Sequence, residues 1–512
     1  MRVRRSGACD RLSRLGRLGG MAVLALTMLV SGCNLAPVYH PPGMLLPPQY
    51  SGMGPFVKAD PSGPPEQGAW WKIFDDAELD TLERKLDASN PDLKAAVQTY
   101  AQARYEVAAA HAGLLPELGM NAFTSENHES AHTLFHSGTG PRQQMSNGYG
   151  LEASWALDFW GEASNRVREA QSGAQRAAAQ LALARLSLET ELASDYMAMR
   201  GLDAEHAAYG RAIALYQNAL EITQTRYAGR IAAGLDVARA QNQLASAKAA
   251  DTEVVSQRRV LEHAVAVLAG ENPIGFHLAS ESVMHVAVPV VPVSMPSLLL
   301  QRRPDIAAAE RRMAAANAAI GIARAAFYPN VRLAAQAGFE DTAWGLASLP
   351  NTLWAVGASV MLPLFEGGLR HAQLQASWAR FAQTGDQYRA VVLQAFREVE
   401  DNLALTDGLA QESQQQDAAL AAAKQVQKLA LTLYTGGIDN YLNVTVAQIA
   451  ALNAQIATIQ LKTRRLQTSV ALIGALGGGW SRADLPDEAQ TMPGRDDVAR
   501  TREAAVAAGA QL

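Results

Sequence analysis

The chain has 512 residues, 49% hydrophobic and 18% charged, with 44 basic against 49 acidic side chains and a formal net charge of −5. Setting aside residues 1–32 leaves 38 basic against 48 acidic groups, a formal −10, which excludes the basic footprint of a nucleic-acid binder. Aromatics are sparse at 6% and alanine runs in long tracts, so long helices that approach one another closely are the first expectation.

Residues 1–32 begin with an arginine-studded segment, continue through the apolar run "MAVLALTMLV" and end in small residues. That is the layout of an export signal that is removed. Removal takes Cys9 with it and leaves Cys33 as the one thiol of the mature chain. The motif Val30-Ser31-Gly32-Cys33 resembles a bacterial lipobox, which implies acylation of Cys33. Asn34 stands where an Asp signals retention at the inner membrane, and so points to the outer one. No apolar run of about 20 residues follows Val30, which predicts no later helix able to span a bilayer. Residues 33–69 are proline-rich and read as an extended strap with little regular structure.

From Trp70 onward the chain repeats itself. "NPDL" at Asn90 recurs as "RPDI" at Arg303, and "GLLPELGMNAF" recurs as "AFYPNVRLAAQ", with prolines 213 positions apart in both cases. "WALDFWG" recurs as "VMLPLFEGG", and "RYAGRIAAGLDVARAQ" recurs as "LYTGGIDNYLNVTVAQ". Four landmarks in one order define a tandem duplication. The first copy spans 70–290, with strands near 117–127 and 148–158 and helices near 162–226 and 235–269. The second spans 291–480, with strands near 330–340 and 353–362 and helices near 368–433 and 442–475. Residues 481–512 read as a flexible tail.

All four strands alternate with period two over a length close to the roughly 10 residues of a tilted membrane strand. An antiparallel sheet of a soluble domain, wet on one face, gives the same alternation. Three features favour the membrane: the export signal, a small and polar second face, and aromatics near strand ends, among them Tyr149, Trp155, Trp160, Tyr328, Trp344 and Trp354. Four strands cannot close a barrel, and open edges are not tolerated in hydrocarbon. Several copies must therefore share one wall, and strand arithmetic permits a dimer or a trimer. Ser164 to Arg226 holds no proline, enough for a helix of about 95 Å.

"QRRPDIAAAERRMAAANAAIGIARAAFYPNVRLAA", Gln301 to Ala335, and "WWKIFDDAELDTLERKLDASNPDLKAAVQTYAQAR" from Trp70 resemble the TolC-like outer-membrane efflux proteins, in their lipoprotein (NodT-type) branch. Arg302, Arg303, Pro304 and Asp305 carry the signature, and the resemblance runs over residues 35–480. It implies an α+β membrane protein: a homotrimer with a 12-stranded β-barrel continued by a 12-helix periplasmic α-barrel. It implies an outer-membrane exit duct lipid-anchored through Cys33, docked on a periplasmic adaptor and an inner-membrane pump of the resistance-nodulation-division type. A protein-secretion exit duct of type I is the alternative within the class. A periplasmic coiled-coil lipoprotein without a pore is the alternative outside it.

The same resemblance places the gate at the two helix-turn-helix tips. Asp236 matches an acidic constriction, Leu442 an apolar gate position, and Asp439 and Asn443 stand in the second tip, where Val446 replaces a frequent acid. Gly229, Gly234, Gly436 and Gly437 suit sharp reversals and a docking role. His128, His132 and His136 recur every four residues, a spacing that would share a helix face, but the inferred loop makes them solvated rather than metal-binding. No phosphate-cradling glycine loop, paired metal-binding cysteines or nucleophile motif is present in the sequence, so no enzyme, cofactor or metal is expected.

Overall fold

The computed structural model describes residues 34–43, 50–51, 68–128, 130, 143–293, 296–343 and 348–510. The export signal, Cys33, most of the strap, Trp344, His132 and His136 lie outside the described residues. In chain order the elements are α1 (Ala77–Ser89), α2 (Pro91–Ala112), β1 (Glu117–His128), β2 (Gln143–Leu157), α3 (Glu162–Ala228) and α4 (Gly234–Leu268). The second copy adds α5 (Pro296–Arg302), α6 (Pro304–Ala325), β3 (Asn330–Asp341), β4 (Thr352–Met361), α7 (Leu369–Thr435) and α8 (Tyr441–Leu476), followed by α9 (Arg495–Ala510).

The strands form one antiparallel sheet in the order β1-β2-β3-β4. Its register sorts the alternation into two faces. Leu118, Ala153, Ala335 and Val356 lie in one row across the sheet, and Met120, Leu151, Ala337 and Trp354 in another. These side chains stay bare: Met120 is 72% exposed and Trp354 78%. The other face carries Gly119, Glu152, Gln336 and Ala355 in register. An apolar face left uncovered on a sheet open at both edges is not a finished soluble fold.

Helices α3 and α7 have 67 residues each, about 100 Å at 1.5 Å per residue. α3 starts where Gly161 turns left-handed, at φ 71°, and Asp158 accepts from the amides of Ala163 (2.9 Å) and Ser164 (2.8 Å). The Asp158 carboxylate thereby occupies the amide-rich start of the helix. Beneath the sheet α2, α3, α6 and α7 pack side by side; further down, α4, α3, α8 and α7 do. Each level thus contributes four helices. Small residues set the spacing. A Cβ on Gly201 of α3 would lie 2.3 Å from Oγ1 of Thr463 on α8.

Where the two levels meet, the main core gathers Trp70, Trp71 and Phe74, Leu79 and Leu86 of α1, and Leu192 and Tyr196 of α3. Val399 and Leu403 of α7 and Leu466 and Val470 of α8 complete it. Asp76 caps α1 through the amides of Glu78 (3.0 Å) and Leu79 (2.9 Å) and accepts the Tyr196 hydroxyl at 2.9 Å, which locks the first helix onto the third. The aromatic opening segment thus packs into this core against the middle of α3.

Three sequence expectations need correction. α8 is long and apolar enough, by length and composition, to cross a membrane, with a mean hydropathy of 1.3 over its best window. Its apolar residues, including Val444, Leu461, Leu466 and Val470, instead pack along α3 and α7. The tail after 480 is not an open strand of chain. Arg104 pairs with Asp497 at 2.9 Å and donates to the Met492 carbonyl at 2.8 Å, docking α9 on α2. Among the tip glycines only Gly437 is left-handed, at φ 74°. In the first tip that conformation falls to Arg230, at φ 59°, while Gly229 has φ −75°.

The candidate gate and the inner face of the duct

The two tips are the turns α3–α4 and α7–α8. The second is fixed by its own polar residues. Asn440 caps α8 by accepting the Asn443 amide at 3.2 Å, and Asn443 Nδ2 donates to both oxygens of Asp439, at 2.8 and 3.0 Å. Asp439 also accepts the Asn440 amide at 2.7 Å. Asp439 and Asn443 are thus brought together, and their polar atoms are engaged within the turn. Asp236, in the first turn of α4, faces Arg239 Nη1 at 3.6 Å.

Leu442 is 42% exposed, and Val446 and Ile449 are exposed four and seven residues on. That spacing makes one helical stripe. The opposite side of α8 buries Tyr441, Val444 and Gln448. The apolar position therefore continues through Val446, which sequence reasoning treated as a lost acid.

Sequence reasoning missed Arg226. At the end of α3 its Nη1 donates to the Tyr434 carbonyl at 3.0 Å, and its guanidinium lies 4.5 Å above the Tyr434 ring. Tyr434 in turn meets Tyr441 edge-on at 5.3 Å, in a cluster with Ala219, Ala240 and Val444. Burial pushes the Tyr441 phenol above its ordinary value. The two tips of one protomer are joined by this contact, which spans 208 positions and has no local sequence period to announce it.

The helix sheet has distinct sides. The strap lies on one: Arg324 donates to the Leu35 carbonyl at 3.1 Å, Asn317 to Pro37 at 2.9 Å, and the Tyr39 hydroxyl to Glu310 Oε1 at 2.7 Å. The strap thus runs antiparallel to α6 and brings its amino end to the base of β3. On the other side a cavity reaches the small, polar face of the sheet, where Ala156, Arg332 and Ser359 line it. His128 closes β1 opposite Gln143. Among the described residues no group of three His, Cys, Asp or Glu side chains is placed to hold a metal ion.

A membrane-wide sheet left open at both edges, continued by helices of about 100 Å that end in tight turns, defines one protomer of an outer-membrane export channel. The chain belongs to the outer membrane efflux protein family, whose profile matches residues 82–271 and 295–478. It is 30% identical over 466 residues to the pyoverdine export outer membrane protein OpmQ of Pseudomonas aeruginosa, covering 90% of this chain and 97% of that one. It is 29% identical to the cation efflux system protein CusC of Escherichia coli, covering 89% and 98%. The MtrE outer membrane channel of Neisseria gonorrhoeae, solved in an open state, superposes with a TM-score of 0.74 at 26% identity, over 88% of this chain and 99% of that one. The working unit is a homotrimer, in which four strands and four helices per level become twelve.

Proposed function

We propose that the trimer is the exit duct of a tripartite small-solute efflux system, with its lower end gated at the tips and its upper end held in the outer membrane by lipid on Cys33. The carrying observation is the uncovered apolar sheet face joined to α3 and α7. Such a face is stable only in hydrocarbon and such edges only when paired. The periplasmic adaptor docks on the turns around Gly229, Gly234, Gly436 and Gly437, and an inner-membrane pump of the resistance-nodulation-division type supplies the driving force. The gate combines an apolar collar, from Leu442 through Val446, with an acidic ring from Asp236, a ring that repels anions and favours cations. Lipidation at Cys33 is supported by the strap, whose first described residues sit at the membrane end of α6. Relatives named for pyoverdine export and cation efflux support small solutes, rather than a secreted protein, as cargo.

The deciding experiment deletes the gene and restores it with wild type or Cys33→Ala. Deletion is expected to sensitise cells to a class of small toxic compounds. The purified product is expected to run as a trimer that dissociates on heating. A water-soluble monomer that never conducts ions would overturn the reading.

A further inference from the structure

Two cavities lie on the inner side of the protomer, just below the sheet. The first, of about 720 Å³, is lined by Ala156, Asp158, Arg332 and Ser359. Ala156, Arg332 and Ser359 belong to the small, polar face of the sheet and lie in one register row. The second, of about 570 Å³, takes residues from all four upper helices: Glu106 of α2, Gly173 of α3, Ala316 of α6 and Gln387 of α7. Arg166 lines both, so the two are one continuous surface. It lies opposite the face that carries the strap, where Asn34, Pro37 and Arg311 line a separate groove.

The charge on this surface is lopsided. Arginines 166, 332 and 370 line the upper cavity, and 166, 176, 312 and 380 the lower. Four acids share the lining: Asp158, Glu162, Glu106 and Glu169. Asp158 is engaged by backbone amides at the start of α3, and Glu162 pairs with Arg166 at 2.9 Å. Glu169 is raised above the ordinary glutamate value, by burial first, against the lowering pull of Arg380 and Arg166. Arg370 pairs with Glu366 at 2.9 Å. Among the described residues Arg332, Arg176, Arg312 and Arg380 take part in no ion pair; Arg312 reaches only the neutral amide of Gln387, at 3.4 Å. Threefold symmetry repeats this surplus around one narrow belt.

We propose that the neck of the duct, where barrel meets helices, is an anion-favouring segment that draws carboxylate- or phosphate-bearing solutes outward past the gate. Unpaired guanidiniums facing a common water-filled space with low-dielectric walls focus a positive potential there. Their planar forks suit transient contact with carboxylate and phosphate oxygens. The acidic ring proposed at the tips lies at the far end of α3, so the two segments filter in series.

This inference rests on the trimeric duct, and the test separates the two. The chain has two cysteines, Cys9 and Cys33, both ahead of the duct. Cys9 leaves with the export signal and acylation caps the Cys33 thiol, so a single Ser359→Cys reports the neck alone. Purified full-chain trimer is treated with an anionic and with a cationic methanethiosulfonate reagent, which enter through the barrel without passing the gate. The ratio of anionic to cationic rates is expected to exceed that of a small free thiol by about tenfold at low salt. It is expected to fall toward the free-thiol value in 1 M salt, where the screening length is about 3 Å. Adding Arg332→Gln, Arg312→Gln and Arg380→Gln is expected to collapse it. A ratio equal to the free thiol, a ratio insensitive to salt, or no reaction with either reagent overturns the proposal. If the triple variant does not assemble, the salt titration of Ser359→Cys alone decides. Failure of the wild-type chain to form a trimer strikes the duct itself rather than the charge of its neck.

Discussion

Arg303 grips Asp305 through two parallel bonds, Nε to Oδ1 at 3.0 Å and Nη2 to Oδ2 at 2.7 Å. Its Nη1 donates to the carbonyl of Ala475 at 2.9 Å and pairs with Glu398 at 2.8 Å. One buried guanidinium thus ties the start of α6 to the end of α8 and to the middle of α7. The sequence signature that marks the family is a structural clamp. Arg303→Ala removes the one cation shared by two carboxylates and a carbonyl and is expected to cost about 3 kcal/mol. Arg303→Lys keeps the charge but loses the fork, and should recover only part of that. Chemical denaturation of the trimer checks the loss. Conductance per surviving trimer should be unchanged, as befits a residue far from the tips.

Directly beside that clamp, Gly477 ends α8 with φ at +100°, and a Cβ there would lie 2.0 Å from the backbone oxygen of Arg302. Backbone cannot swing aside as a side chain can. Gly477→Ala is therefore expected to abolish stable trimer. Gly173, inside α3 and lining the second cavity, has no described atom within 4 Å of a Cβ. Gly173→Ala should stabilise by about 0.5–1 kcal/mol through helix propensity alone. Melting both variants in one buffer tests the contrast.

Glu83 on α1 is fully buried, and among the described residues neither of its carboxylate oxygens has a hydrogen-bond partner. Burial is the first cause that pushes it up to about 10, with Glu189 nearby adding to the rise. Glu189, buried and bonded to the Trp70 indole at 2.9 Å, is pushed up to about 7. Both values lie above the ordinary 4.5, so the folded state holds protons that the unfolded chain releases. Their contribution is complete below pH 4.5, fades first through 7 for Glu189, and fades toward 10 for Glu83. Each such proton steepens the loss by up to about 1.4 kcal/mol per pH unit. Glu83→Gln should flatten stability against pH between 7 and 10. A curve parallel to wild type would show that the carboxyl finds solvent.

Much of this was legible because it is periodic. Alternation from Leu118 and from Val331 gave the strands, the spacing of Pro91 and Pro304 gave the duplication, and proline-free alanine tracts gave α3 and α7. What escaped depends on pairs far apart in sequence. Nothing near Arg104 announces Asp497, so the tail read as free chain. Nothing near Arg230 announces a left-handed turn, which glycine usually marks. At the candidate gate the residue types were visible, but their engagement was not: Asp439 is held by Asn443, and Leu442 continues into Val446, because α8 turns its Tyr441 side inward.

Asp236 tests the acidic ring. Its carboxylate has Arg239 as a neighbour at 3.6 Å, a pair that remains accessible to solvent and therefore leaves much of the field at the mouth intact. Asp236→Ala is expected to lower cation preference, read as a reversal potential in a salt gradient. Unchanged preference would remove Asp236 from the gate. Arg239→Gln should move the potential the other way.

Arg226 joins the two tips of one protomer. The duplication aligns Tyr227 with Tyr434, so Arg226 aligns with Leu433, and only the first copy carries the cation. The second copy supplies the acceptor, the carbonyl and ring of Tyr434. Two tips that began alike have become donor and receiver of a single latch. A hydrogen bond from a charged donor contributes about 1.5–3 kcal/mol, and a partly exposed guanidinium over a buried ring about 1. Every 1.4 kcal/mol is a factor of about ten in population. If parting of the tips breaks this contact, Arg226→Ala should raise the open fraction of reconstituted channels at least about tenfold. Arg226→Lys keeps a donor but stacks poorly and should fall between the two. Trimers of Arg226→Ala that stay as closed as wild type would mean the tips move together, with the latch riding between them rather than holding them shut.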